Sequence, residues 1–282
     1  LIETLSQAGE KISLDDVATI QGDQNSAEVQ RTLPLLLETI NRQDGDQNGT
    51  TQTERQKQAL EILTPWDGKL AIDSVAASLY EAWIIQLTQA MFEDDLRGDL
   101  YDEMSTRANP VFVLNVLSDP VASSVWCDNV LTPNPESCQA TLLDAFDKAL
   151  DDLSTRLGDN MQQWQWGKLH ITQYPHRPFS EVSAIKWLFH RTIANGGNRY
   201  TVDVAPVRNN EPYVQTHVPS YRQIVDMSDL NNSRFIITTG QSGNLLSPHY
   251  DDFIEPHRDV KYIPMTFGRD QVSGDQLTLQ PK

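Results

Sequence analysis

The spacing of apolar residues changes near residue 165, and this change constrains the fold more than any other feature of the sequence. Before it, long stretches repeat apolar residues every three or four positions, which is the period of an α-helix. After it, shorter stretches alternate apolar and polar residues, which is the period of a β-strand. Helices followed by strands predict the α+β class rather than alternating α/β. We therefore predict a mainly helical segment over residues 1–165 and a strand-rich segment over residues 166–282.

The first two predicted helices are short and capped by serine. Ser13 and Ser26 each precede an apolar-periodic run, and serine is a favoured N-cap residue at that position. Pro34 lies inside the second run, so it either kinks that helix or marks its first turn. Residues 41–53 are polar and contain glycine, which predicts an exposed loop.

Two later helices carry the strongest apolar stripes. The first begins after Asp73 or Ser74, and the second runs from about Ser137 to Leu157 and is stopped by Gly158. The stripes consist of Val75, Leu79, Trp83, Leu87 and Met91 in the first helix and of Leu143, Phe146, Leu150, Leu153 and Leu157 in the second. We interpret both stripes as core-facing. The neighbouring carboxylate pairs Asp94–Asp95 and Asp151–Asp152 are interpreted as solvated.

Three strands are predicted in the second segment. Residues 199–205 alternate Tyr200, Val202 and Val204 on one face after a Gly196-Gly197 turn. Residues 222–227 and 234–239 are two further candidate strands, separated by a turn-rich link.

The chain is strongly acidic, with a formal net charge of −17. This charge repels phosphate backbones and anionic membrane surfaces, so neither nucleic acid nor membrane is an expected partner. No apolar run approaches the roughly 18–20 residues that a membrane helix needs. The chain begins with Leu1 rather than methionine and lacks a basic-then-apolar leader, so we expect a processed product or a cut fragment.

Cys127 and Cys138 are the two cysteines, eleven positions apart in a loop-like segment. Neither has a CxxC partner and no histidine lies between them, which argues against zinc. They either form a disulfide, which is our expectation, or are two unrelated thiols. A disulfide would indicate an oxidising compartment such as a periplasm.

Residues 240–244 resemble the nucleophile motif of serine hydrolases, but the spacing of their glycines does not match it. The nucleophile elbow of α/β-hydrolases needs glycine two residues on either side of the serine. Gly240 precedes Ser242 correctly, but the second position after it is Asn244. We therefore reject Ser242 as an elbow nucleophile. We interpret the motif as a tight turn after a buried strand, in which glycines permit backbone angles that other residues resist.

The histidines and tryptophans each leave two interpretations open. His249 with Asp251 and Asp252 either contributes to a cation site or builds a hydrogen-bonded turn that anchors the tail. The remaining candidates His170, His176 and His190 are too far apart in sequence for a helical metal pair. Trp164 and Trp166 either form a sugar-stacking platform or are buried wedges at a domain junction.

A colinear series of short motifs resembles the penicillin acylase family, the N-terminal-nucleophile hydrolases that cleave side-chain amides. The matching residues span nearly the whole chain in the right order. They are Leu1-Ile2-Glu3-Thr4-Leu5 with Ser13-Leu14-Asp15-Asp16-Val17, Trp66-Asp67-Gly68, Ser74-Val75-Ala76-Ala77, Glu81-Ala82-Trp83, Trp164 with Trp166-Gly167 and Leu169-His170, Ser220-Tyr221-Arg222, Asp226, Asp229, Ser233-Arg234, Thr238-Thr239-Gly240-Gln241-Ser242-Gly243-Asn244 and Ser247-Pro248-His249-Tyr250-Asp251-Asp252.

The resemblance implies a fold and a set of partners. The family fold is a four-layer αββα sandwich, and this chain would be the C-terminal half of the large subunit, with its late strands completing the sheets. The implied partners are the N-terminal part of the large subunit, the small subunit and a small-molecule acyl amide, such as a penicillin-type β-lactam or an acyl-homoserine lactone. The implied location is periplasmic or secreted.

The resemblance also implies that the reactive groups lie elsewhere. The family attacks with the side chain of a serine, threonine or cysteine at the start of a mature subunit, whereas this chain starts with Leu1. Calcium, which the family often binds, would be held by residues upstream of Leu1. We therefore predict no catalytic residue and no metal ligand within this chain, and no activity from the chain alone. Gln241 occupies the position at which some relatives carry a glutamate that orients a histidine. It either acts through such a neighbour or satisfies backbone groups in the turn.

Two rival functions remain at this stage. One is a non-catalytic interaction module derived from an acylase. The other is a carbohydrate-binding protein that uses Trp164, Trp166 and Tyr174.

Overall fold

The computed structural model describes residues 5, 12–41, 52–104, 109–208, 211–215, 217–268, 274 and 277–280. The helices of the first part are α1 (Leu14–Gln21), α2 (Ala27–Asn41), α3 (Glu54–Leu63), α4 (Val75–Phe92), α5 (Asp99–Met104), α6 (Pro110–Ser118), α7 (Pro120–Trp126) and α8 (Cys138–Leu157). Three short helices follow, α9 (Trp166–Leu169), α10 (Lys186–Phe189) and α11 (Ile254–Arg258). The strands are β1 (Ile171–Tyr174), β2 (Arg191–Ala194), β3 (Val207–Arg208), β4 (Glu211–Gln215), β5 (Tyr221–Ile224), β6 (Arg234–Ile237) and β7 (Ile263–Pro264).

The predicted helix caps are present. Ser13 forms a reciprocal capping box with Asp16 at the start of α1, and the Val29 N–H donates to the Ser26 hydroxyl at the start of α2. Ser74 and Ser137 cap α4 and α8 in the same way. These hydroxyls accept hydrogen bonds from backbone N–H groups that have no partner within the helix.

Pro34 lies in the middle of α2, so the alternative that it marks the first turn is wrong. The predicted loop 41–53 falls mostly on residues 42–51, which lie outside the described residues. Thr53 and Gln56 form a capping box at the start of α3.

Helix α4 is the centre of the core and is buried around nearly its whole circumference, whereas its spacing predicts a single apolar face. The side chains of Ala76, Ser78 and Thr88 are buried together with the predicted stripe from Leu79 to Met91, and Val75 is partly buried. A helix that is covered on all sides needs small or apolar residues throughout. Against α8, Trp83 packs on Phe146 with ring centroids 4.4 Å apart, and its indole N–H donates to the Leu142 carbonyl. No described helix is long and apolar enough to cross a membrane.

One predicted carboxylate role is wrong. Asp94 is buried rather than solvated, and its Oδ2 accepts the Val130 N–H at 2.6 Å. It therefore holds the loop after α7, which a helical periodicity does not reveal. Asp152 is half-buried, accepts from the Tyr213 hydroxyl at 2.6 Å and pairs with Arg156. Asp151 is exposed, as predicted, and pairs with Arg55.

The predicted disulfide between Cys127 and Cys138 is present. It joins the residue after α7 to the first residue of α8.

The strands form two sheets. The four-stranded sheet has the order β2-β1-β4-β3, with antiparallel pairs at both edges and a parallel contact between β1 and β4. The three-stranded sheet is antiparallel, with the order β5-β6-β7. The predicted strands 222–227 and 234–239 correspond to β5 and β6, shifted or shortened at their ends. The α+β class and the antiparallel strands near the C-terminus are confirmed.

The predicted strand over residues 199–205 is wrong. This segment forms turns and bends, and Tyr200, Val202 and Val204 are exposed. The alternating partners Thr201 and Asp203 are buried instead, because hydrogen bonds to the backbone and to Arg222 satisfy them. Polar groups with internal partners can occupy the buried side of such a segment.

The helical segment and the first sheet share one core. The cluster that contains the buried side chains of α2, α3, α4, α6 and α8 also includes Trp166, Leu169 and Tyr213. All seven described strands follow residue 166. The division of the chain into segments 1–165 and 166–282 remains a prediction.

Candidate functional site

The loop at residues 238–252 follows β6, and backbone hydrogen bonds close it. The Ser242 N–H donates to the His249 carbonyl at 3.0 Å, and the Phe253 N–H donates to the Thr239 carbonyl at 2.8 Å. A Cβ on Gly240 would lie 2.3 Å from the His249 carbonyl oxygen, so only glycine fits there. The left-handed backbone belongs to Thr239, with φ 65°, and not to the glycines. The prediction that the glycines supply unusual backbone angles is therefore wrong, since Gly240 is required by close approach.

The residues after the turn form a hydrogen-bonded turn, as the second of the two interpretations of His249 predicts, whereas the anchoring of the tail by this turn remains a prediction. His249 Nδ1 contacts Asp252 Oδ2 at 2.9 Å, and the His249 N–H donates to the Ser247 hydroxyl. Asp251 faces a different partner, accepting from Arg191 Nε at 2.6 Å. Among the described residues, no group of three or more His, Cys, Asp or Glu side chains could hold a metal ion.

This loop lines a cleft of about 300 Å³ together with the end of β1 and the start of β2. We call it the aromatic cleft; its walls are Tyr174, His176, Phe189, Arg191, Ser242 and Tyr250. The Tyr250 hydroxyl donates to the Phe189 carbonyl at 2.8 Å, and the Arg191 guanidinium lies 5.0 Å from the Tyr250 ring centroid. The cleft is thus a formed concavity with an apolar wall and one cation, which is the usual composition of a small-molecule or side-chain pocket.

Among the described residues that line the aromatic cleft, Ser242 is not activated as a nucleophile. The Ser242 hydroxyl oxygen accepts a hydrogen bond from the Asn244 N–H at 3.1 Å, and no histidine ring of the described residues hydrogen-bonds to that hydroxyl. Gln241 is exposed, and its side chain makes no hydrogen bond to any described residue. Its predicted role beside a histidine remains a prediction.

Trp164 and Trp166 are buried in the hydrophobic core, so the interpretation of them as a sugar-stacking platform is wrong. Trp164 and Trp166 are 1% and 0% exposed. Trp166 stacks on His170 at 4.6 Å between ring centroids, and its indole N–H donates to the Gly197 carbonyl. The Trp166 backbone N–H donates to the Ser74 carbonyl at the start of α4. Trp166 therefore wedges between the helical segment and the region of the first sheet.

His170 is also structural. Burial lowers its pKa to about 4, so the ring is neutral near pH 7. Its Nδ1 lies 2.8 Å from the Tyr213 carbonyl oxygen. A carbonyl only accepts, so Nδ1 carries the proton.

The sequence did not predict the burial of three ionisable side chains, Glu81 and the pair formed by Arg222 and Asp203. Glu81 lies within the largely apolar helix α4, where burial raises its pKa to about 7 against the opposing hydrogen bond from Asn198. Arg222 pairs with Asp203, with both side chains 4% exposed, and also donates to the His257 carbonyl. A charged residue inside a long apolar run is the signal that would have identified Glu81, whereas nothing local distinguishes Asp203.

The sequence model of the penicillin amidase family matches residues 1–274. This chain belongs to the penicillin amidase family. Its relatives include the acyl-homoserine lactone acylase QuiP of Pseudomonas aeruginosa, 30% identical over 251 residues that cover 82% of this chain and 30% of the relative. Another is the penicillin acylase 2 proenzyme of Pseudomonas sp. strain SE83, 26% identical over 97% of this chain and 33% of the relative.

A solved structure has the same fold. The thermostable penicillin G acylase from Alcaligenes faecalis superposes with a TM-score of 0.55 at 18% identity, covering 99% of this chain and 52% of that one. The chain spans about a third of the length of its curated penicillin amidase relatives.

The family-like motifs hold the fold together. In the Trp66-Asp67-Gly68 motif, the Trp66 indole donates to the Lys69 carbonyl, and Gly68 adopts φ 85° while its carbonyl accepts the Ser26 N–H. In the later motifs, Trp83 donates to α8 and Arg222 joins the buried ion pair. In the described structure, these residues of the penicillin amidase motifs therefore make contacts that stabilise the fold.

Proposed function

We propose that this chain is the C-terminal portion of the large subunit of an amidohydrolase that cleaves side-chain amides of acylated substrates. The observation that carries the proposal is the family match over residues 1–274 in a chain that spans about a third of its relatives. The two relatives named above are called acylases of different molecules, and both names describe removal of an acyl group. The substrate class they share is a small acyl amide.

The proposed reaction is acyl transfer through a covalent intermediate. A hydroxyl at the first residue of a mature subunit, outside these 282 residues, attacks the amide carbonyl, and the α-amine of that residue accepts the proton. Hydrogen-bond donors stabilise the tetrahedral oxyanion, the amine leaves with a proton, and water then releases the acid from the acyl-enzyme. The proposed contribution of this chain is to hold the sheets on which those groups are mounted. The buried contacts of Trp83, Trp166 and Arg222 support that role.

Among acyl amides, N-acyl-homoserine lactone is the substrate class that we propose to test first. The QuiP relative from Pseudomonas aeruginosa is 30% identical, against 26% for the penicillin acylase relative. Penicillin-type β-lactams form the second class.

We propose that the partners of this chain are the N-terminal part of the large subunit and the small subunit of the same precursor. We assign any calcium in the intact protein to residues outside this chain. The Cys127–Cys138 disulfide supports a periplasmic or secreted location, since such bonds persist in oxidising compartments.

The test compares the intact protein with the 282-residue chain on a chromogenic acyl amide and on N-acyl-homoserine lactones. We expect the intact protein to release the amine product in a pre-steady-state burst of one equivalent per active site, because the acyl group stays on the enzyme until water releases it. We expect the 282-residue chain and the intact protein with its subunit-initial nucleophile replaced by alanine to show no turnover. Turnover by the isolated chain would contradict the assignment of the nucleophile to another segment.

The alternative is a non-catalytic interaction module derived from an acylase. It is favoured by the structural use of Trp66, Trp83 and Arg222 in the described residues. An encoding gene with a start codon near Leu1 would support it, whereas an upstream coding region with a serine at a subunit start supports the hydrolase.

A further inference from the structure

The wall of the aromatic cleft differs in charge from the rest of this acidic chain. The formal net charge of the chain is −17. None of the described residues that line the cleft is an aspartate or a glutamate, and Arg191 places a guanidinium in its wall. A concave site whose wall carries one sign of charge concentrates ligands of the opposite sign. The lining therefore favours an anionic ligand.

The guanidinium of Arg191 is fixed in place and keeps free donors. Its Nε donates to Asp251 Oδ2 at 2.6 Å, and its Nη1 donates to the Leu188 and His190 carbonyls. A guanidinium has five N–H donors in one plane. Two of them belong to Nη2, and no described residue accepts a hydrogen bond from that nitrogen. The side chain stays 29% exposed. Carboxylate oxygens accept such charge-assisted hydrogen bonds strongly.

The aromatic side chains of the cleft hold one another in position. The rings of His176 and Phe189 lie 5.3 Å apart between centroids, and those of His176 and Tyr250 lie 6.3 Å apart. The Tyr250 hydroxyl donates to the Phe189 carbonyl, which joins the two segments that form the cleft. A site built this way loses little conformational entropy on binding. Aromatic walls pair well with a flat aromatic ligand.

Two hydroxyls of the cleft wall have a hydrogen to donate. The Ser242 oxygen accepts the Asn244 N–H, and its own hydrogen has no acceptor among the described residues. The Tyr174 hydroxyl makes no hydrogen bond to a described residue, and burial raises its pKa to about 12, so it stays protonated near pH 7. Together with Arg191, these groups favour a ligand that accepts hydrogen bonds.

We propose that the aromatic cleft binds a small aromatic carboxylate. The ring of the ligand packs against Phe189 and Tyr250, and its carboxylate accepts hydrogen bonds from Arg191 Nη2. The hydroxyls of Tyr174 and Ser242 donate to polar substituents on the ring. This inference goes beyond the proposed function, because it concerns reversible binding by residues of this chain and involves no cleavage of an amide.

Fluorine NMR of the intact protein tests the chemical class of the ligand. The probes are 4-fluorobenzoate and 4-fluoroacetophenone, a neutral ketone of nearly the same shape that an amidohydrolase does not cleave. We expect the benzoate to bind at least roughly tenfold more tightly than the ketone, because only the benzoate pairs with the guanidinium. Equal affinities, or no binding of the benzoate, would overturn the proposal.

A substitution that narrows the cleft tests the location of the site. Gly243 lines the cleft, and a Cβ on it meets nothing within 4 Å and needs no left-handed backbone. We expect Gly243→Trp to weaken 4-fluorobenzoate binding at least roughly tenfold, because the indole takes the space of the ligand. The matched control Gly243→Ala should bind like the parent. Unchanged affinity in the tryptophan variant would place the ligand elsewhere and sink the proposal.

A paired substitution tests the role of the guanidinium. In Arg191→Met/Asp251→Asn, both charges of the ion pair are removed, so no carboxylate is left without its cation. We expect this variant to bind 4-fluorobenzoate and 4-fluoroacetophenone equally. A retained preference for the benzoate would show that another cation holds the carboxylate, contrary to the proposal.

These measurements fail independently of the proposed function, because binding needs no turnover. An intact protein that cleaves no acyl amide but binds 4-fluorobenzoate in a manner that depends on Gly243 and Arg191 would contradict the function and support the site. An intact protein that cleaves acyl amides and shows no such binding would support the function and refute the site.

Discussion

At the scale of single residues, Glu81 shows how burial sets the protonation of a carboxyl group. Its side chain lies inside α4, accepts from Asn198 Nδ2 at 2.7 Å and is near the carboxylate of Glu28. Burial disfavours the charged form and raises the pKa to about 7, the Glu28 charge adds to this, and the Asn198 hydrogen bond opposes it. The folded protein therefore keeps a proton that the unfolded chain loses at lower pH.

We expect Glu81→Gln to flatten the pH dependence of stability. As the pH rises from the ordinary pKa of 4.5 to about 7, the unfolded Glu81 ionises while the folded one does not, so the free energy of unfolding falls. At about 1.4 kcal/mol per pH unit, the loss is about 3 kcal/mol. Glutamine keeps the acceptor for Asn198 and cannot ionise. Urea unfolding should show the variant matching the parent at pH 4.5 and exceeding it at pH 8. A difference that is constant with pH would contradict the assignment.

Gly240 and Gly243 form a matched pair for the tight turn. A Cβ on Gly240 meets the backbone of His249 and Tyr250 at 2.3 and 2.8 Å, whereas one on Gly243 meets nothing within 4 Å. We expect Gly240→Ala to destabilise the protein by about 1–3 kcal/mol, as overpacking does, and Gly243→Ala to change stability by less than about 1 kcal/mol. Thermal denaturation measures both. Equal effects would show that close approach is not what requires Gly240.

At the scale of elements, the loop between α7 and α8 is held by several independent contacts. The Cys127–Cys138 disulfide closes it. The Thr141 hydroxyl donates to the Cys127 carbonyl, and Asp94 accepts the Val130 N–H. These contacts attach a polar segment to the helices at the edge of the core.

We expect replacement of both cysteines by serine to lower the free energy of unfolding by about 2–3 kcal/mol, chiefly because the unfolded chain gains freedom. Chemical denaturation with and without dithiothreitol provides the measurement. The reductant should destabilise the parent and leave the double serine variant unchanged. An effect of reductant on that variant would mean that another group responds.

At the scale of the whole molecule, one buried ion pair joins distant parts of the chain. Arg222 on β5 pairs with Asp203, whose second oxygen accepts from Gln24, and Arg222 also donates to the carbonyl of His257 in α11. Burial raises the pKa of Asp203, and the Arg222 charge opposes that rise.

We expect Arg222→Met to cost about 3–5 kcal/mol, because it leaves the Asp203 carboxyl buried without its cation. The double variant with Asp203→Leu should cost less than the sum of the single changes, since neither charge then remains unpaired. A double-mutant cycle in urea measures the coupling. Strict additivity would contradict a direct role for the pair.

The sequence by itself determined four of the helices, α1, α2, α4 and α8, together with their caps and the class of the fold. A serine before an apolar-periodic run and a glycine after it act on backbone groups of the same helix. Ser13, Ser137 and Gly158 could therefore be identified as helix caps from the sequence alone. The colinear motifs determined the family, which the comparison over residues 1–274 confirms.

Only the tertiary structure decided which polar groups are buried. Residues 199–205 have the alternation of a strand, yet Thr201 and Asp203 point inward because Arg222, far along the chain, satisfies the carboxylate. The aromatic cleft likewise combines residues 174–191 with residues 239–254. A hydrogen bond or ion pair between distant residues has no sequence period, so no local pattern could have placed it.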